Sequence, residues 1–143
     1  MSTQRVFRPD PAQFDLREEH HRATFSACEL PPHTVLITIH GEIDAANATA
    51  MALYVEKRLG QSRKLILDLQ TVEFFAASGF AALVRVEVLC RRAGVRWSLL
   101  AGTHVLRMLR VCDPDRELPV AAGAAKYVRT RPSDRKLLVG RDH

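Results

Sequence analysis

The feature that most constrains the fold of this chain is a short run of apolar residues, Leu65-Ile66-Leu67, at the start of a strand-like segment. A strand with one face in water alternates apolar and polar residues, whereas a strand covered on both faces is apolar throughout. This run therefore predicts a strand at the centre of a mixed or parallel sheet. A short loop then leads to Ser78 and Gly79, where a helix is expected to begin.

Two stretches show the 3.6-residue periodicity of amphipathic helices. Apolar residues recur at helical spacing over Ala48–Leu59, with Asn47 as a suitable N-cap and Gly60 as the closing residue. The same spacing runs over Ser78–Ala93 and stops at Gly94. We expect one helix over each stretch, the second beginning at the serine.

The remaining elements are predicted to be strands and short helices. Ala23–Leu30 alternates loosely and Val35–Ile39 is rich in β-branched residues, and the prolines between them indicate the turn of an antiparallel pair. Further along, the pattern predicts a strand over 95–99, a helix over 104–111 capped by Thr103, an edge strand over 118–121 and helical turns over 124–128. Strands that alternate with helices through short loops indicate the α/β class, with helices packed on a sheet.

The net charge of +5 over 143 residues is concentrated at the C-terminus, because residues 126–143 carry six basic and two acidic side chains. The preceding region has mixed signs and no interleaving of aromatic and basic residues, so we expect no direct nucleic-acid partner. Prolines and sparse apolar residues predict a mobile N-terminal arm over 1–21, followed by one folded domain over 22–129 and a basic tail over 130–143.

Several functional classes lack the residues they need. No apolar run is long enough for a membrane span or a signal peptide, so a cytoplasmic protein is expected. The three cysteines, Cys28, Cys90 and Cys112, are predicted to be reduced packing residues. The histidines have no ligand spacing and no nucleophile or nucleotide motif is present, so we expect no metal, no cofactor and no enzymatic activity.

Two polar residues beside the predicted helices are candidates for function. Ser78 would lie at the positive end of a helix, where a hydroxyl commonly satisfies a free backbone N–H and where an added phosphate is stabilised. Spacing alone favours the first role. Asp44 precedes the first helix, where a carboxylate most often caps the helix or closes a turn.

Three motifs, taken in order, resemble the STAS domain as found in bacterial anti-sigma-factor antagonists. Gly41–Asp44 is similar to the family's G-E-[LI]-D loop, Leu65–Leu69 to its central strand, and Val72–Gly79 to its V-x-F-[IM]-D-S-S-G phosphorylation loop. The resemblance covers roughly residues 22–129. It implies a mixed sheet with the helices largely on one side.

The resemblance also implies a mechanism. Ser78 matches the phosphoacceptor, and the partner-binding residues are expected to be Asp44, Glu42, Asn47, Ser78, Gly79 and Phe80. The implied partner is an anti-sigma serine kinase, whose capture releases a sigma factor. Phosphorylation by that kinase would end binding, and a serine phosphatase would restore it.

Two departures from the family pattern leave alternatives open. Ala76 stands where the family has aspartate, and Ala77 where it has a first serine. A constitutive antagonist that is never phosphorylated is therefore one alternative. A STAS-fold subunit of a lipid or solute transport complex is another.

Overall fold

The computed structural model describes residues 16–121, which form one mixed five-stranded sheet with three helices. The elements in chain order are β1 (Glu18–His20), β2 (Ala23–Leu30), β3 (Thr34–Ile43), α1 (Ala48–Leu59), β4 (Lys64–Phe75), α2 (Ala77–Ala93), β5 (Arg96–Ala101) and α3 (Thr103–Cys112). The strands lie in the order β1-β2-β3-β4-β5. The β1–β2 and β2–β3 pairs are antiparallel, and β4 pairs parallel with β3 and β5. The predicted α/β class is confirmed.

The core lies between one face of the sheet and the helices. Buried side chains of all three helices, among them Val55, Leu83 and Val105, form one cluster with alternate residues of the sheet such as Leu67 and Leu99. Burial of this apolar surface is the main source of the fold's stability. The helices therefore form one layer, as the resemblance implied.

Strand β4 is covered on both faces, as its sequence predicts. Every residue of Leu65–Leu69 is at most 5% exposed, including Asp68 at 2%. The position of the strand differs slightly from the prediction, because β3 is the middle strand of the five and β4 lies beside it.

Strands β3 and β4 continue through segments that were predicted to be a strand end and a loop. Strand β3 passes Gly41 and ends at Ile43, and β4 runs on to Phe75. The pairing advances by an extra β4 residue twice, between Thr38 and His40 and again between Gly41 and Glu42. Such bulges let a strand continue where strict alternation has stopped, which is why the periodicity did not reveal it.

The fold begins before Arg22, so the inner end of the predicted arm belongs to the sheet. Strand β1 pairs with β2, and the Tyr54 hydroxyl donates a hydrogen bond of 2.7 Å to the Leu16 carbonyl oxygen. Lys57 Nζ lies 2.6 Å from a Glu18 carboxylate oxygen. Contacts with α1 thus hold a segment whose own sequence has little apolar periodicity. Residues 1–15 lie outside the described part.

Glu18 also links stability to pH. Hydrogen bonds from Lys57 and from His20 hold the pKa of the Glu18 carboxyl below its ordinary value of 4.5. A depressed folded-state pKa stabilises the protein above the unfolded-state pKa, and this contribution is lost as the pH falls through the lower, folded-state value. We expect the wild type to be more stable than Glu18→Gln near neutral pH and the difference to vanish in acid. Urea titrations of both proteins across this pH range measure it, and a constant difference would contradict the assignment.

The C-terminal side of the fold agrees with the sequence in outline. Helix α3 begins at Thr103 with Gly102 at the N-cap position, one residue earlier than predicted. Val120 makes an isolated parallel bridge to Leu99, so the predicted edge strand is reduced to a single bridge. The predicted helical turns over 124–128 and the basic tail lie outside the described residues.

The three cysteines all lie within residues 16–121 and are thiols there rather than disulfides. Burial raises the pKa of the Cys90 thiol to about 12, with a smaller contribution from the nearby Glu87 charge. A thiol with so high a pKa is protonated at neutral pH and is a poor nucleophile.

Candidate functional site

The two segments singled out in the sequence meet at one edge of the sheet. Ile43 at the end of β3 pairs with Phe75 at the end of β4. The Ala76 amide donates a hydrogen bond of 2.9 Å to the Ile43 carbonyl oxygen. Because parallel strands end at the same edge, the loop after β3 lies beside the start of α2. We call this edge, residues 42–47 and 76–80, the docking surface.

The loop at Asp44 is closed by its own polar groups. Asp44 Oδ1 accepts a hydrogen bond of 2.9 Å from the Ala46 amide, which is an Asx turn. The Asp44 carbonyl oxygen accepts bonds from the amides of Asn47 and Ala48, at 3.2 and 2.9 Å. Ala45 and Ala46 are exposed, whereas Asp44 is half-buried. Turn closure and partner contact are therefore compatible roles for this carboxylate.

Glu42 lies at the edge of the docking surface and is paired with the β1–β2 turn. Its carboxylate is 3.3 Å from the Arg22 guanidinium, and its amide donates to the Arg22 carbonyl oxygen at 3.0 Å. The Arg22 side chain is 76% exposed, so this ion pair is largely solvated.

Asn47 occupies the N-cap position of α1, but its side chain makes no capping hydrogen bond. Its Nδ2 group donates to the carbonyl oxygens of His20 and Glu42 at 3.0 and 2.9 Å, and its Oδ1 accepts from the Asp44 amide at 3.0 Å. The residue is 1% exposed. The prediction of a capping side chain is wrong, because backbone groups outside the helix take all three of these bonds. Asn47 is thus a buried member of the docking surface.

Ser78 is the second residue of α2, since the helix begins at Ala77 with Ala76 as N-cap. Its Oγ atom is buried and has no hydrogen-bond partner among the described residues. A buried hydroxyl without a partner costs about 1–3 kcal/mol. The capping role that spacing alone favoured is therefore not the reason for a serine here.

Gly79 and Phe80 complete the start of α2. A Cβ atom on Gly79 would lie 2.6 Å from the Phe75 ring, so the absence of a side chain allows this ring to pack under the helix. Phe80 is half-buried against the core. Gly79 is itself buried, so it affects the docking surface through the packing of Phe75 and not by exposing atoms of its own.

Comparison with known proteins identifies the family. A family model described as STAS domain matches residues 27–125, more than half of the chain. The chain belongs to the STAS domain family. A curated relative, Osmosensory protein A of Mycobacterium tuberculosis, is 33% identical over 90 residues, which are 63% of this chain and 50% of that protein. The chain thus spans half the length of this relative.

Two solved structures share the fold of this STAS domain. One is an anti-sigma factor antagonist from Mycobacterium paratuberculosis, with a TM-score of 0.59 and 18% identity, covering 82% of this chain and 94% of that one. The other is the anti-sigma factor antagonist SpoIIAA in its unphosphorylated form, with a TM-score of 0.56 and 17% identity, covering 68% of this chain and 88% of that one. At these identities the likeness concerns the fold.

Exposed apolar side chains extend the surface of this STAS domain near the site. Val84 on α2 is 40% exposed and Leu53 on α1 is 44% exposed, and these two helices pack against each other. Phe74, which pairs with Glu42, is 51% exposed. Val84 lies beside the apolar stripe of its helix. Helical spacing does not reveal the exposure of Leu53 or Phe74, because exposure depends on what other elements leave uncovered.

Within residues 16–121, the structure contains no group of three or more His, Cys, Asp or Glu side chains placed to hold a metal ion. No helix of this part is long and apolar enough to cross a membrane.

The start of α2 lacks a capping side chain, although its backbone has the conformation for one. Ala76 has φ −87° and ψ 172°, the extended geometry of an N-cap residue, and makes no side-chain bond. We expect Ala76→Ser to raise the free energy of unfolding by about 1 kcal/mol, because its hydroxyl can accept from a free amide of the first turn. Ala77→Ser, one residue later, is the matched control and should give no gain. Urea denaturation of both variants decides, and equal effects would contradict the assignment of the cap.

Proposed function

We propose that this STAS domain is an anti-sigma-factor antagonist that binds an anti-sigma serine kinase through the docking surface. In this proposal, capture of the kinase releases a sigma factor, and phosphorylation of Ser78 ends the capture. The observation that carries the proposal is the junction of the Asp44 loop with the start of α2, made by the hydrogen bond between Ala76 and Ile43. One partner can therefore contact the loop and the serine at once.

The state of Ser78 supports a role beyond stability. Its hydroxyl oxygen is buried and unpaired in the described part of the chain, so the fold gains no hydrogen bond from it. Buried polar groups are nearly always paired, so an unpaired one needs an explanation other than stability. To receive a phosphate, this hydroxyl must turn outward. Ser78 as a whole is half-buried, as are Ala76 and Phe80.

A phosphate on Ser78 would change the docking surface more than the fold. It carries about −1.5 to −2 charges near neutral pH. The free amides at the start of α2 would stabilise it by about 0.3–1 kcal/mol. A partner packed on the same surface would instead meet a dianion on a surface that also includes the Asp44 carboxylate. Burying such a charge without a cation is costly, so the complex should dissociate.

The names of similar proteins support the class of partner and suggest an input. Two proteins of the same fold are named as anti-sigma factor antagonists, and one relative is named for osmosensing. We therefore propose that the domain acts in the cytoplasm as a kinase substrate rather than as an enzyme. We further propose that a serine phosphatase reverses the switch and that osmotic change is the signal to test first.

The test begins with capture of partners from native cell lysate and their identification by mass spectrometry. The captured kinase is then purified, incubated with the protein and ATP, and the modified residue is mapped. Release of the sigma factor is measured by adding the protein to a preformed complex of kinase and sigma factor. We expect one phosphate on Ser78 and displacement of the sigma factor. Partner capture is repeated with lysates of cells grown at low and at high osmolarity.

A charge-neutral variant tests the loop in the same experiment. Asp44→Asn keeps the side-chain oxygen that accepts from the Ala46 amide but removes the charge. We expect weaker kinase binding with unchanged stability, whereas the control Asp115→Asn, at an exposed position outside the docking surface, should bind as the wild type does. Displacement without phosphorylation would favour the constitutive antagonist, and capture of transporter subunits would favour the transport role.

A further inference from the structure

Asn47 joins two parts of the chain that are distant in sequence. Its Nδ2 group donates to the carbonyl oxygen of His20 in the β1–β2 turn and to that of Glu42 on the docking surface, at 3.0 and 2.9 Å. Its Oδ1 accepts from the Asp44 amide at 3.0 Å. With 1% of its surface exposed, Asn47 makes these bonds away from water. Each bond is therefore expensive to break, since the freed group finds no solvent partner.

The β1–β2 turn touches the docking surface at a second point. The Glu42 amide donates to the Arg22 carbonyl oxygen at 3.0 Å, and Gly41 packs directly on that oxygen. His21 within the turn has a positive φ of 58°, in the left-handed region that few residues other than glycine adopt. The backbone of the turn and the backbone of the loop are thus in continuous contact.

The opposite end of this N-terminal segment is fastened to α1. The Tyr54 hydroxyl donates to the Leu16 carbonyl oxygen at 2.7 Å, and Lys57 Nζ contacts the Glu18 carboxylate at 2.6 Å. Tyr54 is seven residues beyond Asn47, which is about 10 Å along the helix axis. A change at this fastening therefore lies well away from the docking surface itself.

We propose that Asn47 is the positioning residue of the docking surface. Through Asn47, residues 16–22, which are the β1 side of the N-terminal β1–β2 hairpin, set the conformation of the Asp44 loop. Loosening the hairpin moves the His20 carbonyl, which removes one partner of Asn47 and frees its amide group to rotate. The acceptor for the Asp44 amide is then lost. The inference deepens the proposed function, but only its binding readout rests on that function.

A purely stabilising role of Asn47 gives a different expectation. In that case any substitution that weakens the fold would loosen the loop only through global unfolding. Local positioning instead opens the loop while the rest of the fold stays closed. Amide hydrogen exchange separates the two, because exchange through local opening is insensitive to low urea and exchange through global unfolding is not.

The experiment follows the amides of Asp44 and Ala46 by NMR in the full chain labelled with ¹⁵N. We expect Asn47→Ala to speed exchange of the Asp44 amide at least tenfold and to move its proton shift upfield. Tyr54→Phe, which removes the hydroxyl that donates to Leu16 and also interacts with Arg58, should speed the same amide at least threefold without urea dependence. Val105→Ala is the control, because it removes a fully buried side chain from α3 and should leave local exchange at Asp44 unchanged.

The distal variant keeps the proposal falsifiable if Asn47→Ala does not fold. Unchanged exchange at Asp44 in Tyr54→Phe, or the same acceleration in Val105→Ala, would overturn it. Affinity for the captured kinase gives the second readout, with an expected loss of at least fivefold for Tyr54→Phe and none for Val105→Ala. If no kinase is captured the proposed function fails, while the exchange data still decide whether the hairpin positions the loop.

Discussion

Replacement of Gly41 by alanine is expected to lower the free energy of unfolding by about 3–5 kcal/mol. Gly41 has a φ of +107°, and a Cβ atom there would lie 2.2 Å from the Arg22 carbonyl oxygen and 3.1 Å from the Ala23 Cα atom. A side chain is strained at this φ, at a cost of about 1–3 kcal/mol, and the clash with backbone atoms of β2 adds to it. Urea denaturation followed by circular dichroism measures the loss.

Gly94 provides the matched control for this substitution. It also has a positive φ, +72°, but a Cβ atom there would meet no other atom within 4 Å. Gly94→Ala should therefore cost only the left-handed backbone strain, about 1 kcal/mol. Equal losses for the two variants would show that the contact with β2 does not set the need for glycine at position 41. A large loss at Gly41 alone would show that the close approach of the Arg22 and Ala23 backbone is what requires glycine there.

The second large effect is expected for Ser78→Glu on kinase binding. We expect the affinity to fall at least a hundredfold, which is about 2.7 kcal/mol. A carboxylate in the first turn of α2 is tolerated by the helix dipole, so the free energy of unfolding should change by less than about 0.5 kcal/mol. The partner would bury that charge at a docking surface that already includes the Asp44 carboxylate, so the loss falls on binding. Titration calorimetry with the captured kinase and urea denaturation measure the two quantities.

Two variants separate the effect of charge at this position from other effects. Ser78→Ala removes a hydroxyl that makes no hydrogen bond in the described part of the chain, so binding should persist and the free energy of unfolding should rise by about 1–3 kcal/mol. Ser62→Glu adds the same charge near the start of β4, at the other end of the sheet, and should bind normally. Undiminished binding of Ser78→Glu would remove the switch and leave a constitutive antagonist.

The sequence by itself determined the elements whose residues repeat with a clear period. Helix α1 has the predicted bounds, Ala48–Leu59, and α2 begins one residue before the predicted start. The run Leu65–Leu67 predicted a strand covered on both faces, and its neighbours on both sides are parallel strands. These features could be predicted because the spacing of apolar residues within one segment indicates which side of that element faces away from water. The motif order predicted the family for the same reason, since short contiguous patterns are local.

Only the tertiary structure decided the parts that depend on distant partners. Strand β1 has three residues and no apolar pattern, and it exists because β2 and α1 bind it. Asn47 looked like a cap, but the three bonds that occupy its side chain include one to a carbonyl 27 positions earlier. The Ser78 hydroxyl looked like a helix-start group, yet packing leaves it buried and, among the described residues, unpaired. A buried polar atom takes whichever partners the assembled fold brings within reach, and no local pattern in the sequence encodes that choice.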